Sequence, residues 1–101
     1  PVEFVRSDAD GSGKIDVSDP IFLLNYLFTG GRAPDCLAAG DGNDDGALDI
    51  TDAVYSLSFQ FLGGPPPATP YPDCGIEDTA DGPGCQSYRP CLPAAQLADR
   101  K

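Results

Sequence analysis

The sequence predicts a small, mainly α-helical fold made of two loop-helix repeats followed by a tail rich in proline and cysteine. Three observations predict it: an acidic segment occurs twice, an apolar segment with helical spacing follows each copy, and prolines and cysteines collect in the last third of the chain. The chain has 101 residues, enough for one small domain. In a fold of fewer than roughly 70–80 ordered residues, the hydrophobic core is rarely large enough to stabilise the structure without metals or disulfides.

An internal duplication with a period of 33 residues organises the first two thirds of the chain. Residues 8–19 align without gaps onto residues 41–52, and residues 20–31 align onto residues 53–64. More than half of the 16 acidic residues lie in the two acidic windows, and a merely solubilising charge would not concentrate there. The clustering indicates bound cations. We divide the chain into tandem repeats over 1–64, with repeat one at 8–31 and repeat two at 41–64, and a tail over 65–101.

Each acidic window continues into a predicted helix. Apolar residues recur at helical spacing through residues 20–29 and 53–62, and a Gly-Gly pair follows each run. Ser18 and Thr51, near the start of each run, have the side chains of helix N-caps. The predicted helices are apolar on nearly all sides, so we expect them to pack on each other and also on either the tail or a partner.

The two acidic windows have the ligand spacing of an EF-hand calcium loop, which supplies oxygens from positions one, three, five, seven, nine and twelve and turns at a glycine at position six. Gly13 and Gly46 stand at position six, and the apolar Ile15 and Leu48 at position eight predict a short strand contact between the loops. Position seven contributes a main-chain carbonyl. The ligand positions of the first loop hold Asp8, Asp10, Ser12, Lys14, Asp16 and Asp19. Those of the second loop hold Asp41, Asn43, Asp45, Ala47, Asp49 and Asp52.

Oxygen atoms are the only ligands that these loops offer, because neither contains histidine or cysteine. Such a set selects hard cations, and six to eight oxygen ligands suit Ca²⁺ better than Mg²⁺, which requires a tight octahedron. The alternative is a surface turn rich in Asp and Gly that binds no metal. Two loops in register, each followed by an apolar helix, favour two Ca²⁺ ions as the cofactor and metal binding that is coupled to folding.

The remaining composition excludes several classes of function. A net charge of −10 argues against nucleic acid and against an anionic membrane surface as partners, and no apolar run approaches the roughly 20 residues of a membrane span. The sequence has no histidine, and its well-placed carboxylates are assigned to metal, so we predict no catalytic residues and no enzymatic activity. Because the sequence begins at Pro1 and lacks methionine, we expect it to be a piece of a longer polypeptide.

The cysteines predict two disulfides, because their number is even and they form no CxxC pair of the kind that binds zinc. They are Cys36, Cys74, Cys85 and Cys91. Disulfides require an oxidising compartment, so we expect the protein to be secreted, either extracellular or at the cell surface. The alternative is a set of free, buried thiols in a cytosolic protein.

Residues 4–64 resemble the dockerin family, in which two Asp-x-Asp/Asn-x-Asp-Gly-x-x-Asp-x-x-Asp loops are each followed by a single helix and have no entering helix. The resemblance is specific because position twelve is Asp19 or Asp52 rather than the usual Glu, and because the residues before Asp8 and Asp41 are too few or too rich in glycine for a helix. The cysteine-bearing tail is similar to a dockerin-like variety of planctomycete-type secreted proteins.

The resemblance implies a pseudo-twofold pair of calcium loop-helices that tethers a larger secreted or surface protein by docking onto a cohesin. It also implies that loop positions ten and eleven read the partner, here Val17, Ser18, Ile50 and Thr51. We therefore expect a protein partner, either cohesin-like or a domain of the parent chain, and a monomer rather than an oligomer. A second function stays open: a structural spacer or self-associating terminus, braced by calcium and disulfides and covered by its own tail.

The pseudo-twofold arrangement that the resemblance implies bears on the disulfide pairing. Cys36 and Cys74 follow equivalent helices and would lie at opposite ends of the domain, which makes them poor partners. Of the three possible connectivities we favour Cys74 with Cys85 and Cys36 with Cys91. The connectivity that joins Cys36 to Cys85 stays open.

Overall fold

The computed structural model describes residues 2–77 and 82–92. The predicted mainly helical class is confirmed, and within the described residues there is no β-strand, only an isolated antiparallel bridge between Phe4 and Gly75. Parts of the predicted tail, residues 78–81 and 93–101, lie outside the described residues. The helices are α1 (Ser18–Phe28), α2 (Leu37–Gly40), α3 (Ile50–Leu62) and a 3-10 helix (Arg89–Cys91). None of them has the length and apolar composition that crossing a membrane requires.

Aspartates of the acidic loops start α1 and α3. At α3 the Asp49 side chain accepts the Asp52 N–H and the Asp52 side chain accepts the Asp49 N–H, which together form a capping box. Asp49 also accepts the Thr51 N–H, and before α1 the corresponding bonds run from the Ser18 N–H to Asp16 and from the Asp16 N–H to Asp19. The predicted caps at loop position eleven are therefore wrong, because the aspartate at position nine, two residues earlier, accepts the free backbone N–H instead.

The Gly-Gly pairs end both long helices, as predicted. Gly30 and Gly63 have φ of 76° and 72°, the left-handed conformation that glycine adopts without a steric penalty. The N–H of the second glycine of each pair reaches back to a helix carbonyl, that of Asn25 or Ser58, at 2.9 Å. The two helix ends are thus equivalent in conformation and in hydrogen bonding.

The second acidic loop is preceded by a short helix that the sequence did not indicate. We expected no helix before either loop, but α2 forms one turn immediately before Asp41. Ala38 and Ala39 within α2 are buried, and their small side chains let this turn lie deep in the domain. The expectation is therefore wrong by one helical turn at the second loop.

A cluster of buried apolar residues joins the N-terminal segment, α2 and the tail. The helices α1 and α3 do pack against each other, with Leu23 and Ala53 buried. The tail joins this core through backbone hydrogen bonds from Phe4 N–H to Gly75 O at 2.8 Å and from Ala38 N–H to Gly84 O at 2.8 Å. The core cluster consists of Phe4, Cys36, Ala38, Ala39 and Tyr88.

The four cysteines form two disulfides, but the favoured pairing is wrong. The bonds join Cys36 to Cys85 and Cys74 to Cys91. The reason is the course of the tail, which runs beside the start of α2, where Ser87 N–H donates to Asp35 O at 3.3 Å. This course brings Cys85 next to Cys36. The expectation that Cys36 and Cys74 do not pair with each other is confirmed.

The expected strand contact between the two loops does not form. Ile15 and Leu48 are partly buried, yet no backbone hydrogen bond links them in the part of the chain that the structure describes. The Leu48 side chain instead packs towards Gly40 at the end of α2. The extra helical turn before the second loop therefore lies beside Leu48, where the first loop was expected.

Candidate metal centre

The first acidic loop is closed by hydrogen bonds from its own backbone to its carboxylates. Asp8 Oδ2 accepts the N–H of Gly13 at 2.9 Å, which fixes the turn at position six. Asp19 accepts from the other side of the loop, taking the Asp10 N–H at 3.2 Å and the Asp16 N–H at 2.9 Å. The aspartates at positions one and twelve therefore draw the two ends of the loop around a common centre.

The second loop repeats this pattern residue for residue. Asp41 Oδ2 accepts the Gly46 N–H at 2.9 Å, and Asp52 accepts the Asn43 N–H at 3.4 Å and the Asp49 N–H at 2.9 Å. Each acceptor lies 33 residues after its counterpart in the first loop. The duplication of the sequence is thus a duplication of loop geometry.

Position six requires glycine in both loops. Gly13 and Gly46 each have φ of 90°, which is strained for any residue with a Cβ atom. The conformation turns the chain so that the position-six N–H points back at the aspartate of position one. The predicted role of these two glycines is confirmed in their backbone conformation.

Three carboxyl groups converge in each loop. The groups are Asp8, Asp10 and Asp19 in one and Asp41, Asp45 and Asp52 in the other, and within each group one oxygen per residue lies within 4.8 Å of the others. Oxygens that bind one Ca²⁺ at about 2.3–2.6 Å lie within about 5 Å of each other, so the spacing fits a single ion. These two acidic clusters can each hold a metal ion.

The remaining predicted ligand positions are placed around the clusters in different ways. The Ser12 hydroxyl lies 3.5 Å from Asp8 Oδ1 and 3.2 Å from the Lys14 carbonyl oxygen, which brings positions one, five and seven together. In the second loop Asn43 Oδ1 accepts the Asp45 N–H at 3.2 Å, and Asp45 Oδ1 accepts the Ala47 N–H at 3.1 Å.

The aspartates at position nine stand outside the convergent groups. Asp16 Oδ1 accepts the Ser18 N–H at 3.0 Å, and Asp49 Oδ1 accepts the Thr51 N–H at 3.1 Å. Their carboxylates therefore serve the start of the following helix. Position nine of such loops commonly reaches calcium through a water molecule, which is compatible with this placement.

Burial makes four of the six clustered carboxyl groups hard to ionise. Burial raises the pKa of Asp19 to about 8 and that of Asp52 to about 7, with backbone N–H donors opposing the rise in both cases. Burial also raises the pKa of Asp8 and of Asp41. Burial acts on Asp10 as well, but hydrogen bonds from neighbouring side chains, that of Asp19 foremost, lower its pKa to about 2. At or below neutral pH, a cation that binds the ionised form of these groups therefore displaces protons.

The structure adds Arg6, which the sequence did not single out. Its side chain is 1 % exposed, and its guanidinium donates to the carbonyls of Ala38 at 3.2 Å, Asp41 at 3.0 Å and Thr69 at 3.0 Å. It also pairs with the Glu77 carboxylate at 3.0 Å. No local pattern could indicate this role, because the partners lie 32 to 71 residues away in the sequence.

Tyr88 is the second residue that the sequence did not single out. Its hydroxyl donates to Asp8 Oδ2, and both side chains are buried. Burial, together with the hydrogen bond to Asp8, raises the pKa of Tyr88 well above its usual range, so the phenol keeps its proton. The tail therefore reaches the first acidic cluster directly.

The four residues predicted to read a partner are all exposed. They lead into a row of exposed apolar residues on each helix, which we call the outer face, and the two rows occupy repeat-equivalent positions. Phe28 on α1 is 65 % exposed and Phe61 on α3 is 62 % exposed. The outer face consists of Val17, Ile21 and Phe28 at α1 and Ile50, Val54 and Phe61 at α3.

Comparisons of the chain with protein-family models, with curated proteins and with solved structures find no match. The geometry of the two loops and of the outer face is therefore what bears on function.

Proposed function

We propose that the chain is a non-catalytic, dockerin-like module that binds two Ca²⁺ ions and tethers a larger secreted or surface protein to a protein partner. The observation that carries this proposal is the repetition of structure at the period of 33 residues. Both the hydrogen bonds inside the loops and the exposed apolar positions on the helices recur at equivalent residues. A duplicated binding surface attached to a duplicated metal site is the arrangement that this function needs.

Calcium is the cation that the loops suit. Each loop offers carboxylates, a hydroxyl or amide oxygen at one further position, and a main-chain carbonyl, which together approach the six to eight oxygens that calcium takes. Zinc would require nitrogen or sulfur ligands, but the sequence has no histidine and all four cysteines are in disulfides. Mg²⁺ suits these loops less well, because it requires a tight octahedron of ligands.

The proposed ligands are those of the EF-hand spacing. In the first loop they are Asp8, Asp10, Ser12, the Lys14 carbonyl, Asp16 through water, and Asp19. In the second loop they are Asp41, Asn43, Asp45, the Ala47 carbonyl, Asp49 through water, and Asp52. The bound ion supplies positive charge that offsets the mutual repulsion of the carboxylates, and it thereby holds each helix against its loop.

The outer face supports binding to a protein. Large apolar side chains that are about half exposed or more are costly to leave in water when they lie in a row, and such rows mark interaction sites. The face lies beside two acidic loops in a chain of net charge −10, so the complementary partner has an apolar centre and a basic rim. Val17, Ser18, Ile50 and Thr51 stand where the apolar row meets the acidic loops.

A structural spacer is the second candidate, and the tail is the observation that favours it. The Tyr55 hydroxyl donates to Pro66 O at 2.7 Å, and the Phe59 and Tyr71 rings meet edge to face at 5.6 Å between centroids. The tail therefore covers the Tyr55 and Phe59 side of α3. The part of the tail that the structure describes leaves the outer face exposed, which favours the tether over the spacer.

The two disulfides are consistent with an oxidising environment, and the proposed setting is extracellular or at the cell surface. Calcium in such settings is abundant, so loops with the modest affinity of extracellular modules would stay occupied. The proposed metal is then a permanent structural component of the module rather than a signal.

Partner capture tests the tether. The immobilised module is exposed to the secreted and surface fraction of its source in millimolar calcium, and in parallel with EGTA. A third arm carries Ile21→Asp with Val54→Asp on the outer face, and a matched control carries Ile76→Asp, an exposed apolar residue of the tail. The tether predicts one protein recovered by the wild type and the control in calcium only. Recovery of nothing by a folded module supports the spacer.

A further inference from the structure

Tyr88 contacts the first acidic loop at the Asp8 carboxylate. The Tyr88 ring is 3 % exposed, and its hydroxyl donates to Asp8 Oδ2. The same oxygen accepts the Gly13 N–H at 2.9 Å, whereas Asp8 Oδ1 lies 3.5 Å from the hydroxyl of Ser12, a proposed ligand. Two donors on Oδ2 fix the carboxylate with Oδ1 turned towards the other ligands.

Within residues 2–77 and 82–92, the second loop has no counterpart to Tyr88. Asp41 Oδ2 accepts the Gly46 N–H at 2.9 Å, and Asp41 Oδ1 accepts the Asp45 N–H at 3.3 Å. Among the described residues of the tail, no side chain donates a hydrogen bond to Asp41. The two loops share the bonds from position six to position one and from positions three and nine to position twelve, but only the Asp8 carboxylate of the first loop accepts from a described side chain of the tail.

The tail holds the phenol in a fixed place. Cys85 and Cys91 stand three residues before and three residues after Tyr88, and each is bonded to a cysteine elsewhere in the domain. Between them, Pro90 lies against Gly13, at a distance where an added Cβ would meet its ring at 3.6 Å. The segment from Cys85 to Cys91 is thus anchored on both sides of the hydroxyl.

We propose that Tyr88 is a positioning residue of the first calcium loop, which orients the Asp8 carboxylate for the ion, while the second loop binds calcium without help from the tail. The inference rests on the calcium binding proposed above. Hydrogen-bond partners of metal-ligating carboxylates hold their orientation, and loss of such a partner typically weakens metal binding by about 10- to 100-fold.

The test measures the two loops separately in one titration. The N–H groups of Gly13 and Gly46 each donate to the first aspartate of their own loop at 2.9 Å, so their amide NMR signals report the occupancy of each loop. The ¹⁵N-labelled chain is titrated with calcium, buffered by a competing chelator. Tyr88→Phe removes the hydroxyl and keeps the ring in the core. Tyr55→Phe is the matched control, because it removes a hydroxyl bond to a backbone carbonyl away from both loops.

The expected result is a calcium affinity about 10- to 100-fold lower at the Gly13 signal of Tyr88→Phe, with less than a twofold change at the Gly46 signal and in the control. Incorporation of 4-aminophenylalanine at position 88 restores a donor and should restore the affinity of the first loop. This rescue separates positioning from mere packing.

Three results would overturn the inference: an unchanged affinity at the first loop, an equal loss at both loops, or no rescue by the amino group. A wild-type chain whose two glycine signals do not respond to calcium would instead refute the proposed calcium binding itself. The two failures are therefore distinguishable in the same experiment.

Discussion

Calcium removal should make the stability of this domain fall as the pH rises. Each loop holds three carboxyl groups within 4.8 Å. Two unit charges at about that separation repel by about 3 kcal/mol at an effective dielectric constant of about 20. Three such pairs in one loop would cost on the order of 10 kcal/mol, which is comparable to the whole stability of a typical domain. The calcium-free protein must therefore keep protons on its loops, and burial raises the pKa of Asp19 to about 8 and that of Asp52 to about 7.

The sign of the pH dependence follows from these pKa values. A carboxyl group whose pKa is higher in the folded than in the unfolded chain stabilises the fold fully below its unfolded value, here 3.8, and loses that contribution as the pH rises through its folded value. Between about pH 4 and pH 7, Asp19 and Asp52 hold protons only in the folded state. Each group then lowers the free energy of unfolding by about 1.4 kcal/mol per pH unit, so the pair lowers it by about 3 kcal/mol per unit.

Urea denaturation followed by circular dichroism measures this slope. Buffers between pH 5 and pH 8 are freed of calcium with a chelating resin, because EGTA binds calcium poorly in acid. The free energy of unfolding should fall steeply from pH 5 to pH 7. In millimolar calcium the fall should be absent, since the ion binds the ionised carboxylates and stabilises the fold by mass action. A calcium-free stability that is constant or rising over this range would refute the reasoning.

Three further predictions concern stability in calcium. Gly46→Ala should cost on the order of 1–2 kcal/mol in urea denaturation and should weaken calcium binding, because φ of 90° strains any residue with a Cβ; unchanged stability would contradict the turn. Arg6→Met should cost about 3–5 kcal/mol because it leaves a partly buried carboxylate and three carbonyls without their donor. The control Arg32→Met, which breaks an exposed ion pair, should cost less than about 1 kcal/mol, and similar losses in both would rule out the buried role of Arg6. Replacing both cysteines of the Cys36–Cys85 disulfide, which spans 49 residues, by serine should lower the free energy of unfolding by about 4 kcal/mol. The same change at the Cys74–Cys91 disulfide, which spans 17 residues, should lower it by about 3 kcal/mol. The reverse order in thermal unfolding would contradict the argument that the longer loop gains more from its disulfide.

The loops were predictable from the sequence because the hydrogen bonds that close them are local. The bonds that close the first loop join residues at most nine positions apart, from Asp10 to Asp19 and from Gly13 to Asp8. A fixed spacing of acceptors and one glycine with positive φ therefore specify the geometry. The helix ends were predictable for the same reason, since Gly30 and Gly63 act on the turn that precedes them.

The tail was not predictable because its contacts are long-range and have no repeat equivalent. Tyr88 and Asp8 are 80 residues apart, and Arg6 and Glu77 are 71 apart. The disulfide prediction was wrong for this reason. Repeat symmetry correctly indicated that Cys36 and Cys74 do not pair with each other, but it holds no information about the course of a segment that occurs only once.

The sequence also could not predict which face of the helices is exposed. Both helices are apolar nearly all round, so periodicity could not say which side would stay in water. The structure shows it: the tail contacts Phe59 and Tyr55, whereas Ile21 and Val54 are exposed. The contacts of a segment with no periodic signal thus separate the covered side of α3 from its exposed side.

Isothermal titration calorimetry of the disulfide-intact, metal-free chain with calcium tests the central claim most directly. The account predicts a saturable isotherm with two ions per chain and the release of protons at pH 7, and a single ion for Asp41→Ala, which removes the position-one ligand of the second loop. An isotherm with no saturable binding, or one that magnesium reproduces at the same concentrations, would contradict the proposal that these two loops are calcium sites.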